Sequence, residues 1–156
     1  MSMRRLINRL EEARDTGIGP DGTGFVKGAK IGPKADLRNA RMGDAELQDA
    51  DLRGADLRNA GFADSKMNGA DLSGANLTNA RFDNAGMRNV KFINAILVNA
   101  DFSLANLEGA DFTGADLTGA IFGGAKRVDV RGAKNIDKAK QLTPKGGVRL
   151  VRSGEA

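Results

Sequence analysis

Residues 35–124 read ADLRN ARMGD AELQD ADLRG ADLRN AGFAD SKMNG ADLSG ANLTN ARFDN AGMRN VKFIN AILVN ADFSL ANLEG ADFTG ADLTG AIFGG. They are 18 consecutive five-residue units without an insertion. The first position is Ala in 16 of them, with Ser65 and Val90 as the exceptions. The third is Leu, Met or Phe in all 18, and the fifth is Gly, Asn or Asp in 17, Leu104 being the exception. A small residue followed two places later by a large apolar one gives two inward side chains per unit, with mostly polar outward neighbours. A period of five matches neither the helical 3.6 nor the strand period of 2. It suits a chain that turns a corner every five residues, and Gly, Asn and Asp tolerate the positive φ such corners need.

The number of corners per coil is also legible. Third-position residues taken every twenty are Leu37, Leu57, Leu77, Leu97 and Leu117 in one file. The next file holds Met42, Phe62, Phe82, Phe102 and Phe122, and the others Leu47, Met67, Met87, Leu107 and Leu52, Leu72, Phe92, Phe112. A spacing of fifteen or twenty-five mixes Leu with Phe, so four units make one coil and like side chains stack. Coils pairing as in a parallel sheet, at about 4.8 Å, predict a column roughly 22 Å tall. Its core is a square shaft filled by Phe62, Phe82, Phe102, Phe122, Leu57, Leu77, Leu97 and their equivalents. Val90 in an Ala slot predicts mild overpacking.

The repeat resembles that of pentapeptide-repeat proteins, whose pattern is Ala-(Asp/Asn)-Leu-x-x, over 90 of 156 residues. The resemblance implies an all-β solenoid, a right-handed quadrilateral β-helix. The four sides follow from the Phe file; the handedness comes from the family.

Solenoid ends expose backbone edges and need caps. Met3, Leu6, Ile7, Leu10 and Ala13 share one face of a helix expected over about 3–15, within an N-terminal helix and linker at 1–23. Residues 24–34 read as degenerate repeats, Gly24–Gly28 and Ala29–Pro33, offset from the main register by Lys34. The repeats proper are 35–124, and 125–156 form a C-terminal cap and irregular tail, with a short helix expected over Ile136–Leu142 and a strand-like VRLVR at 148–152.

Composition excludes much chemistry. There is no His and no Cys, hence no imidazole base, no thiolate nucleophile and no zinc or iron–sulfur site of the usual kind. Arg4 and Arg5 are adjacent, but Asn8, Arg9, Glu11 and Glu12 interrupt the apolar stretch a signal peptide requires. No run approaches the ~20 apolar residues of a membrane span, so the expectation is a cytoplasmic protein. No cofactor, metal or catalytic residue is expected. Second-position ladders such as Asp36, Asp56, Asn76, Ile96, Asp116 stack carboxylates about 5 Å apart, the separation in retaining glycosidases. The coil rise dictates that spacing, and a convex face excludes no water. Asn39, Asn59, Asn79 and Asn99 align as turn-forming residues.

The expected function is a non-enzymatic solenoid scaffold binding an unidentified protein, a second copy included. No direct nucleic-acid binding is expected. Net charge is +3 over residues 1–34, −5 over 35–124 and +6 over 125–156. Some members of the resembled family mimic DNA and bind DNA gyrase, protecting it from quinolones, so a gyrase or topoisomerase regulator is the alternative. The modest acidity and basic tail depart from that pattern. Among outward positions, Ile93, Ile96, Val98, Leu104 and Ile121 are apolar and are the candidate interface, with Ile121 expected directly over the second position of the unit at 100–104. A contiguous apolar patch marks a contact. The competing expectation is that the tail covers it through Val128, Val130, Ile136 or Leu142.

Overall fold

Every corner of the column turns in the same way. The computed structural model describes residues 32–140. Within it, each fifth position from Asn39 to Gly124 has φ between 57° and 76°. The third residue's carbonyl accepts the amide of the next unit's first residue, as Leu37 O does from Ala40 N at 3.1 Å. This is a four-residue turn with its left-handed residue at the third place, the conformation that favours Gly or Asn there.

The other amides stitch coil to coil. Leu57 N–H donates to Asn76 O (2.8 Å), Asn59 N–H to Thr78 O (3.0 Å) and Asp56 N–H back to Ala35 O (2.9 Å). Parallel bridges accordingly pair second positions twenty apart, from Asp36 with Asp56 through Asn106 with Lys126. Twenty residues per coil is the four-sided β-helix expected from the Phe file. The first, second, third and fifth amides are thus satisfied by backbone. Where the second residue is Asp or Asn, its side chain serves the fourth: Ser73 N–H donates to Asp71 Oδ1 (3.0 Å) and Thr118 N–H to Asp116 Oδ1 (3.0 Å). Asp and Asn recur at the second position because a short acceptor there completes the pairing of an otherwise orphaned amide.

The first and third positions are inside. Phe62, Phe82, Phe102 and Phe122 are fully buried and stack with near-parallel rings at centroid spacings of 4.9, 5.1 and 5.1 Å. Phe92 and Phe112 form a second stack at 5.0 Å and meet the first edge-on, as Phe82 and Phe92 do at 6.0 Å. Offset and T-shaped geometries both suit the ring quadrupole. Leu57, Leu77 and Leu97 are likewise fully buried. Val90 fits its slot, but its turn bond to Met87 O lengthens to 3.4 Å against 3.0 Å for Ala95 to Phe92 O. Ser65, in another Ala slot, is buried and its hydroxyl has no partner among the described residues.

The ends depart from the expected boundaries. The N-terminal helix and the unit at 24–28 lie outside the described residues. Lys34, however, has φ 58° and donates to Arg53 O at 2.8 Å, while Ala35 N–H returns to Gly32 O. It is a corner of the main register rather than an extra residue ahead of it. At the other end the register jumps by three. Val128 and Val130 are buried, Gly132 has φ 75°, and Ala133 N–H donates to Val130 O (3.1 Å), so VDVRG at 128–132 is a further unit. The last described coil closes in 18 residues from Asp116 to Lys134 and 19 from Ile121 to Lys140. The expected helix over Ile136–Leu142 is a single 3-10 turn, Ile136–Lys138. Asn135 enters it left-handed at φ 56° and Ala139 leaves it extended, so the chain returns to the coil at once. VRLVR lies outside the described residues.

Candidate functional site

We number the faces one to four by the units beginning at Ala35, Ala40, Ala45 and Ala50. The second-position carboxylates are occupied by structural bonds. On face one Arg38 forks onto Asp36 with Nε–Oδ1 2.8 Å and Nη2–Oδ2 2.8 Å, and Arg58 grips Asp56 in the same way. On face four Arg53 grips Asp51. Hydrogen bonding from these guanidinium groups holds the Asp36, Asp51 and Asp56 carboxyls below the usual carboxylate range. Asp116 is lowered by bonds from Thr118 and Asn135. A carboxyl held more acidic than usual is a poor general acid at neutral pH.

The corner asparagines form ladders. Asn59 Nδ2 donates to Asn39 Oδ1 (3.2 Å) and Asn79 Nδ2 to Asn59 Oδ1 (3.2 Å). On face two, Gly43, Gly61 and Ala63 leave an open groove of about 450 Å³ between Arg41 and Arg81. Among the described residues no group of His, Cys, Asp or Glu is arranged to hold a metal ion. No helix of the described residues is long and apolar enough to cross a membrane.

The apolar outward residues are brought only partly together. Ile93 is on face four, Ile96 and Val98 on face one, and Ile121 on face two, paired with Asp101 in the coil before it as expected. Leu104 stands at the far corner of face two. Ile93 and Ile96 flank the Asn94 corner. The set is a girdle over three faces, mostly in the coil at 90–104, rather than one flat patch. Ile93, Val98 and Ile121 are half-buried, whereas Ile96 is 41% and Leu104 59% exposed. Leu104 has φ 60°, unfavourable for a side chain with a γ-branch, and its Cδ2 lies over Gly124, where a Cβ would come within 2.7 Å. Residues up to Lys140 do not cover the girdle. Val128 and Val130 are inside the shaft, Ile136 packs against its end, and Leu142 lies outside the described residues.

The sequence pattern of the family described as pentapeptide repeats matches residues 34–62, 55–92 and 87–124, in 8 copies. The chain is a member of the pentapeptide-repeat family. The family's fold is the right-handed quadrilateral β-helix. Among solved structures, the pentapeptide repeat protein alr5209 from Nostoc PCC 7120 is 26% identical, with TM-score 0.57, over 83% of this chain and 91% of its own. QnrB1, a plasmid-mediated fluoroquinolone resistance protein, is 18% identical with TM-score 0.51, over 76% of this chain and 66% of its own. The second likeness is one of fold. No curated protein matches the chain in sequence.

Proposed function

We propose that this pentapeptide-repeat protein is a non-enzymatic binding scaffold that contacts a protein partner through the girdle of Ile93, Ile96, Val98, Leu104 and Ile121. One observation carries the reading: Leu104 takes a left-handed corner that Gly, Asn or Asp fills at every other unit, and presents an isobutyl group 59% exposed. Holding a non-Gly residue there costs about 1–2 kcal/mol. Strain retained at an exposed apolar position points to a contact. The rigid column fits this role, because its outward side chains are held on a fixed backbone and need little ordering on binding.

The gyrase-regulator reading rests on the −5 charge of residues 35–124. All but −1 of that net charge lies in residues 95–124; in the coils before them Arg38–Asp36, Arg53–Asp51 and Arg58–Asp56 pair, so those coils carry alternating signs rather than a phosphate-like string. The test is capture by Ile96→Asp/Leu104→Asn protein against wild type, from the source cell lysate, with circular dichroism to show both are folded. Loss of a specific partner from the variant supports the girdle. Equal capture by both overturns it. Inhibition of gyrase supercoiling, or its protection from a quinolone, would transfer the proposal to the alternative.

A further inference from the structure

The last described coil is electrostatically unlike the rest. Residues 95–124 contain four acidic side chains, Asp101, Glu108, Asp111 and Asp116, and no Lys or Arg. Residues 125–140, stacked directly below, contain six basic side chains and two acidic ones. Charge therefore reverses from −4 to +4 across one coil boundary.

The six cations surround the column. Lys126 continues the ladder of face three below Asn106, Lys134 that of face one below Asp116, and Lys140 that of face two below Ile121. The bond from Gly114 N to Gly132 O (2.8 Å) sets the unit containing Arg131 on face four. Lys138 O accepts from Gly119 N, which puts a second lysine on face one. Arg127 is paired with Glu108 and Arg131 with Asp129. Lys126, Lys134, Lys138 and Lys140 are exposed and form no ion pair among the described residues, although the charge of Lys138 is felt at Asp116 and helps to lower its carboxyl. Three of these four are pinned by bridge amides, such as Lys140 N to Ala120 O at 2.7 Å. Ile136, half-buried against the end of the shaft, lies within this collar.

We infer that this end of the column docks on an anionic lipid surface, with the column standing off it. Exposed lysines on three sides of one coil, with the Asp129-paired Arg131 on the fourth, are reached together only by a plane across the rod's end. A linear polyanion laid along the column meets the cations of one or two sides and sets its phosphates against Asp101, Glu108, Asp111 and Asp116. End-on approach instead meets the net +4 of residues 125–140 first, with the backbone that carries those carboxylates one coil, about 4.8 Å, or more behind it. The residues that follow, 141–156, add Lys145, Arg149 and Arg152 against one acid, Glu155, so the sequence does not reverse the charge.

The experiment is co-sedimentation of the full chain with vesicles of phosphatidylglycerol and phosphatidylcholine, beside vesicles of phosphatidylcholine alone. Wild type is expected to bind the anionic vesicles, to ignore the neutral ones, and to be released by high salt. The variant Lys126→Gln/Lys134→Gln/Lys138→Gln/Lys140→Gln is expected to bind on the order of several hundredfold more weakly, since each basic residue near such a surface contributes roughly a fivefold factor. Lys91→Gln, on the column, should bind as wild type does, and circular dichroism checks the fold of each variant. Failure of wild type to bind anionic vesicles at low salt overturns the inference. So does unchanged binding by the quadruple variant, which would place the attachment in residues 141–156. Tighter binding to a short DNA duplex than to the vesicles would assign the collar to nucleic acid and overturn it too. None of these results depends on the girdle, whose own test uses other residues.

Discussion

The column from Ala35 to Gly124 and the coil from Ala125 to Lys140 share most kinds of backbone bond but differ in their counts of residues. In the column every bridge spans twenty positions; in the terminal coil the first, Asn106 with Lys126, still spans twenty and the next two span 18 and 19. The terminal coil keeps the inward pair, Val128 and Val130, and the left-handed corner at Gly132, yet drops two residues and spends three on a 3-10 turn. The coil is thus defined by which amides and carbonyls meet, and a strict period is one way to arrange it. Where a coil has neighbours on both sides, identical length lets like side chains stack. Among the described residues the last coil stacks on one side only, so no second described coil fixes its length.

Core truncation gives the largest test of this contrast. Phe82→Ala is expected to lower stability by about 3–5 kcal/mol, because stacked rings above and below prevent collapse into the hole. Val130→Ala, in the last described coil, should cost nearer the ~1.6 kcal/mol of two methylenes. Chemical denaturation of both variants checks this, and equal losses would mean the terminal coil is packed as tightly as the interior. Corners give the next effect. Gly114→Ala and Gly132→Ala each place a Cβ at a left-handed residue, costing about 1–2 kcal/mol. At Gly114 that Cβ would also meet Asn94 Oδ1 at 2.1 Å, whereas at Gly132 the nearest atom is 3.5 Å away. Gly114→Ala should therefore be the worse of the two in thermal melts.

Two substitutions should stabilise. Leu104→Asn relieves a left-handed leucine, and Ser65→Ala removes a buried hydroxyl without a partner; each is expected to add about 1 kcal/mol. A loss of stability for either would show that the side chain is supported in the folded column. The smallest expected effect is acid sensitivity. Asp116 ties the column to the terminal coil through Asn135 Nδ2 at 2.8 Å, and its folded carboxyl lies below the ordinary value. A depressed folded value means the stabilisation is present above about pH 4, the unfolded range, and is lost as pH falls through the folded one. Amide exchange at Lys134 should quicken below that range before exchange at Phe82 does, and Asp116→Asn should abolish the difference.

The column was legible because each of its rules repeats. Five-residue spacing, the Phe file and the pairing of Ile121 with Asp101 all follow from counting. The unit VDVRG was not legible, since the frame carried on from Gly124 splits it into AKRVD and VRGAK. Its own signature, an Asp two before an Arg and a Gly at the corner, is that of ADLRG at 50–54. The girdle was legible as a set of residues but not as a shape, because linear spacing gives the face of each side chain and not how far apart two faces point. The service that Asp71 or Asp116 renders to the fourth amide is a matter of hydrogen-bond direction, which residue types alone do not carry.

The inter-coil bonds have a mechanical consequence. They run along the rod axis, so a pull on the two ends loads them a coil at a time instead of sharing the force across many, and the column should come apart like a thread from a spool. Each event in the regular part frees the same twenty residues, about 66–72 Å of extended chain. Stretched between a surface and a probe, the molecule would give evenly spaced force peaks, with a shorter first step wherever the 18- and 19-residue coil is the one that yields.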